Sequence, residues 1–120
     1  MAARSLVLIS ILVEILVGLA LIAVPHVIAN GFVATSVDQN GLAFARLAGI
    51  ALLSLGIMAA IGRDGRPAFI GLLTYNALAA VYIVVLGLTL PVTGALLWPA
   101  GAAHAVLAVL MAIRLGDAGR

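Results

Sequence analysis

The chain has no cysteine and no lysine. The first absence excludes disulfides, thiolate metal sites and thiol nucleophiles. Charge of either sign is scarce: Asp, Glu, Lys and Arg make up 8% of the 120 residues, against ~25% in soluble domains. All six basic residues are arginine, and with four acids the net charge is only +2. No basic cluster is large enough for nucleic acid. A zinc or di-iron site would need more histidine or carboxylate ligands than the chain offers, and no serine stands in a nucleophile motif. No catalytic residue, metal or cofactor is therefore assigned. What is abundant is apolar: 66% of the residues are hydrophobic and the mean hydropathy is +1.35. So few polar side chains cannot cover a globule, so lipid is the expected solvent. The length suits one domain, residues 1–120.

Four hydrophobic runs predict an all-α fold, a four-transmembrane-helix bundle with helices at about 6–24, 42–62, 67–90 and 96–115. Each is near the ~20 residues needed to cross the hydrocarbon core. The first run exceeds the apolar core of a secretory signal, and Glu14 interrupts it, so it reads as a retained helix. Pro25 ends it. Residues 26–41 read as a loop, with Asn30-Gly31 and Asp38-Gln39-Asn40-Gly41 as turn chemistry; Phe32 and Val33 suit the interface, and Asp38 or Asn40 suits a cap. Arg63 to Pro67 is a polar turn, with Pro67 fit for the first turn of the next helix. Pro91 to Gly94 is an uncharged turn. Trp98 suits an interfacial position, Pro99 is tolerated in a first turn, and Gly116 to Arg120 reads as a short tail. Four spans put both ends on one side. Arg4, Arg63, Arg66, Arg114 and Arg120 then share that side, with Arg46 near the other, which predicts cytoplasmic N and C termini and a multi-pass protein of the cell (inner) membrane.

Each run carries polar residues. Ser10, Glu14 and Gly18 form one stripe of the first helix. Arg46 shares a face with Gly49, Leu53, Gly56 and Ala60; Asn76 with Ala79, Ala80, Ile83 and Gly87; His104 with Ala100, Ala108 and Ala112. Tyr75 and Tyr82, seven apart, fall on one face beside Asn76. A carboxylate at bilayer depth costs ~2.5–3.5 kcal/mol on insertion scales, which sends Glu14 towards protein or a water cavity. Glu14, Asn76 and His104 are expected near one depth, with Arg46 closer to the outer edge. Coupling between Glu14 and His104 is expected, with Arg46 and Asn76 as second partners. Glu14, Arg46, Asn76, His104, Tyr75 and Tyr82 are thus the candidates for binding or proton coupling. The plainer reading is interhelical glue, at ~0.6 kcal/mol per hydrogen bond. Haem ligation by two histidines would need His26 at the depth of His104. Ala100-x-x-x-His104 matches a pigment-site pattern short enough to arise by chance in an alanine-rich helix.

Ile11-Leu12-Val13-Glu14 resembles the first-helix glutamate region of the small multidrug resistance transporters, but their tryptophan and Gly-Val-Gly signature in the third helix has no counterpart, and membership is discounted. Residues 14–25, Ala45-Arg-Leu-Ala-Gly49, Tyr75-Asn-Ala-Leu-Ala79 and Trp98-Pro-Ala-Gly-Ala-Ala-His104 look like a group of small bacterial four-helix integral membrane proteins without assigned activity. That resemblance touches all four spans and implies a fold without a function. Two functions fit the residues. One is a proton-linked carrier or small-molecule binder using Glu14. The other is a non-catalytic accessory or structural subunit of a larger membrane complex. An enzyme ranks third. Expected partners are the lipid bilayer and either further copies of the chain or a larger assembly.

Overall fold

A computed structural model describes residues 2–117. They form five helices: α1 (Ala3–Ala23), α2 (Pro25–Val33), α3 (Gln39–Ile61), α4 (Arg66–Thr89) and α5 (Leu97–Asp117). Among the described residues there is no strand. Helices α1, α3, α4 and α5 are long and apolar enough to cross a membrane. At ~1.5 Å per residue, the 21 residues of α1 extend ~31 Å, close to the ~30 Å of a hydrocarbon core. Their outward faces are apolar. Leu12 and Leu16 on α1 are each 56% exposed, and Phe44 and Leu47 on α3 and Leu78 and Val81 on α4 are exposed as well. The last residues of the expected tail, Arg120 among them, lie outside the described residues.

The stretch read as a loop after the first run holds a fifth helix. Pro25 has no amide hydrogen, so it cannot continue α1; the same lack is harmless in a first turn, and it opens α2 instead. Asn30-Gly31 is helical rather than a turn, because a tertiary contact outweighs local turn preference. The Gly31 carbonyl accepts a hydrogen bond from the Leu96 amide, and that of Phe32 from the Gly94 amide, both at 2.8 Å. The loop between α4 and α5 is thereby laid across the end of α2. Ala34 then terminates α2 in the left-handed region, at φ 54°. Of the two cap candidates for α3, Asp38 serves: its Oδ1 accepts from the Gly41 amide at 2.8 Å.

α1 packs along α3, and α4 along α5; contacts between the two pairs are far sparser. The α1–α3 crossing is made by glycine. A Cβ on Gly18 would stand 2.7 Å from the Leu53 amide nitrogen, and one on Gly49 would stand 2.7 Å from the Gly18 carbonyl oxygen. Further along, Gly56 faces Ile15, which makes the pair antiparallel. In the second pair Gly87 lies under the Trp98 ring and Gly101 against Ile83. The buried side of α5 is Leu97, Gly101, Leu107 and Met111, rather than the expected stripe at four-residue spacing, of which Ala112 is exposed. Steps of four overrun a 3.6-residue turn by ~40° each, so such a stripe drifts off the contact face.

The apolar core is one cluster: Leu6, Val7 and Ile11 of α1, Ala59 of α3, Leu72 of α4, and Leu107 and Met111 of α5. It occupies the half of the molecule nearer the start of α1 and the end of α5. Arg4, Arg63, Arg66 and Arg114 line one cavity at that end.

Candidate functional site

Beside the apolar core the interior becomes polar. α1 contributes Ser10 and Glu14, and α4 contributes Asn76; these three are buried to 1% exposure or less. The periodicity of α1 brings this about. Ser10, Glu14 and Gly18 lie on one line along the helix, and all three are turned inward.

Asn76 joins three helices. Its Nδ2 donates to Ser10 Oγ on α1 and to the Leu72 carbonyl of its own helix, each at 2.8 Å. Its Oδ1 lies 2.8 Å from His104 Nδ1 on α5. An amide oxygen only accepts, so Nδ1 of His104 carries the proton in this bond, and Nε2 is free to accept in the neutral ring. Tyr75, one residue before Asn76, places its ring edge-on to the His104 ring, with centroids 5.6 Å apart and an interplanar angle of 82°. That geometry suits the aromatic quadrupole and fixes the imidazole from a second side.

Glu14 stands apart from these bonds. Its stem packs towards Gly56 of α3, where an added Cβ would come to 3.4 Å from the Glu14 Cβ. Among the described residues, Glu14 Oε1 is the one buried side-chain nitrogen or oxygen atom without a hydrogen-bond partner. Buried polar atoms are almost always satisfied, because an unmade hydrogen bond inside costs ~1–3 kcal/mol.

Four of the six candidates from the sequence are thus gathered in one interior region: Glu14, Tyr75, Asn76 and His104. Two are not. Tyr82 is 65% exposed, two turns along α4 from Tyr75 and beyond the reach of His104. Arg46 is exposed; it precedes Gly56, the neighbour of Glu14, by ten residues, or ~15 Å along α3. The expected Glu14–His104 contact is also replaced. His104 is bonded to Asn76, which lies level with Ser10, and Glu14 is one helical turn, ~6 Å, further along α1. Ser10 was missed as a member of the site. Its signal was its place on the Glu14 stripe, and nothing in the sequence singled it out as the acceptor for Asn76. In comparisons with known protein families, curated proteins and solved structures, nothing matches this chain.

Proposed function

We propose that the chain is an integral membrane protein of four spans, a helix bundle with both termini in the cytoplasm, and that it works as a proton-linked carrier or binder in which Glu14 takes up and releases the proton. The observation that carries this reading is the buried Oε1 without a partner. A carboxylate held only for packing would be expected to share the hydrogen bonds that Ser10, Asn76 and His104 make among themselves. Intramembrane acids are costly, and they mark ion or proton pathways by default. The placement in the cell membrane with cytoplasmic ends rests on the arginines: among the described residues, only Arg46 falls away from the end that gathers Arg4, Arg63, Arg66 and Arg114.

Glu14 is the sole glutamate of the chain, which permits a site-specific test. Glutamate labelled with ¹³C at the side-chain carboxyl reports on this group alone. In the full chain, in lipid nanodiscs, the label is expected to pass between a protonated and an ionised form as pH changes, and to shift its midpoint when the transported or bound solute is present. A label that keeps one form at every pH at which the helices stay folded would rule the proton role out.

A second reading draws on Asn76. Its three hydrogen bonds lock α4 to α1 and α5, as in a structural subunit of a larger membrane complex. Purification in mild detergent separates the two: a protein partner retained in fixed ratio supports the subunit, and a homogeneous preparation of the chain alone supports the carrier.

A further inference from the structure

We infer that the arginine-lined cavity at the end of the molecule where α1 begins and α5 finishes is a binding site for a phosphate group, and specifically for the headgroup of an anionic phospholipid. The site is distinct from the polar interior around Glu14 and does not rest on any role for that residue. The cavity has a volume of about 440 Å³, within the range of small-molecule sites. Arg4 reaches it from the first turn of α1, Arg63 and Arg66 from the α3–α4 turn, and Arg114 from the last turn of α5. One acid, Asp64, is among the lining residues, against four arginines. Asp64 lies 3.8 Å from Arg4 Nε, and Arg63 Nη1 donates to the Ala60 carbonyl at 3.4 Å. Neither contact removes the excess of positive charge. Like charges gathered around one cavity repel, and an anion with several acceptor oxygens relieves them all at once. Arginine suits phosphate in particular, because its planar fork bonds two oxygens together.

The backbone favours the same ligand. Residues of the first turns of both α1 and α4 line the cavity. Neither helix has a side-chain cap: Ala2 and Gly65 hold the cap positions, with no side-chain hydrogen bond to either helix. Uncapped amides and the positive end of the helix dipole are suited to anions. The rest of the lining is apolar: Val7 and Phe69 lie one turn further into α1 and α4 than Arg4 and Arg66, and Leu115 stands beside Arg114. A free phosphate would have no use for that surface, whereas the glycerol and upper acyl segments of a lipid would cover it. Basic pockets between spans at the cytoplasmic surface are a known physical solution for anionic headgroups.

The test uses the full chain in maltoside detergent, with binding followed by native mass spectrometry and by melting temperature. Dioleoyl phosphatidylglycerol should be retained and should raise the melting temperature. Dioleoyl phosphatidylcholine should bind more weakly, and dioleoylglycerol, which lacks phosphate, should do neither. The double variant Arg66→Gln, Arg114→Gln should lose affinity for phosphatidylglycerol by about tenfold or more. The double variant Arg66→Lys, Arg114→Lys, which keeps charge but not the fork, should lose less. If inorganic phosphate alone reproduces the shift and displaces the lipid, the site holds, with free phosphate as the source of its ligand. Phosphatidylglycerol binding no tighter than dioleoylglycerol overturns the site, as does an unchanged affinity in the folded glutamine variant. Should that variant fail to fold, salt decides with the native protein: binding that does not weaken as ionic strength rises overturns the site.

Discussion

Asn76 has both ends of its amide engaged inside the protein, with Ser10 and Leu72 on the nitrogen and His104 on the oxygen. Replacing it by leucine keeps much of the volume and leaves Ser10 Oγ and His104 Nδ1 without their partner. Interhelical hydrogen bonds in membranes average ~0.6 kcal/mol and reach ~1.7, so Asn76→Leu should cost on the order of 1–3 kcal/mol in reversible unfolding from mild detergent. The coupling is expected to be local. A double-mutant cycle of Asn76→Leu with His104→Phe should be clearly non-additive, while one of Glu14→Gln with His104→Phe should be nearly additive, because no hydrogen bond joins that second pair. The opposite ranking of the two cycles would show that Glu14, rather than Asn76, is the partner of His104.

At the scale of elements, the crossing of α1 and α3 depends on two backbones that touch. Added methyl groups at Gly18 or Gly49 would meet main-chain atoms at 2.7 Å, and Gly49 would also meet the Leu21 Cβ at 2.8 Å. Backbone cannot swing aside as a flexible side chain can. Gly49→Ala should therefore push the helices apart and cost ~1–3 kcal/mol, the usual range for overpacking. Gly71 on α4 is the control, since nothing lies within 4 Å of its added Cβ. Gly71→Ala should be neutral or stabilise by up to ~1 kcal/mol through helix propensity. Unfolding midpoints of the two variants check the contrast, and equal effects would mean that the glycines of α1 and α3 are not in close contact. Close backbone approach is the expected means of helix association in lipid, where burial of apolar side chains between spans gains little over contact with acyl chains.

For the whole molecule, the two antiparallel pairs meet along a thin contact, and the polar cluster of Ser10, Asn76 and His104 lies across it, joining α1 of one pair to α4 and α5 of the other. The ends of the molecule differ in charge, with Arg4, Arg63, Arg66 and Arg114 at one of them. The absence of cysteine makes single-cysteine labelling clean. In intact cells an impermeant thiol reagent should reach Thr35→Cys, in the segment between α2 and α3, and should reach Gly65→Cys only after the membrane is opened. Reversal of that pattern would invert the orientation proposed from the arginines.

Much of the architecture was legible in the sequence because the relevant forces are local or set by the solvent. Long apolar runs can only be satisfied as helices once water is excluded, and Pro25, Asp38 and Pro67 mark their ends through the amides they lack or bind. The inward turn of Ser10, Glu14 and Gly18 followed from helical period alone. Tertiary structure decided the rest. That Asn30-Gly31 is helix depended on the α4–α5 loop hydrogen-bonding to α2, a contact between residues more than sixty positions apart. Which partner His104 takes depended on the axial offset of α1 against α4 and α5, and a shift of one turn would exchange Ser10 for Glu14 beside Asn76. No local preference sets that offset. It is fixed where side chains and bare glycines of different helices fit together, and it is this fit that leaves one oxygen of Glu14 without a partner.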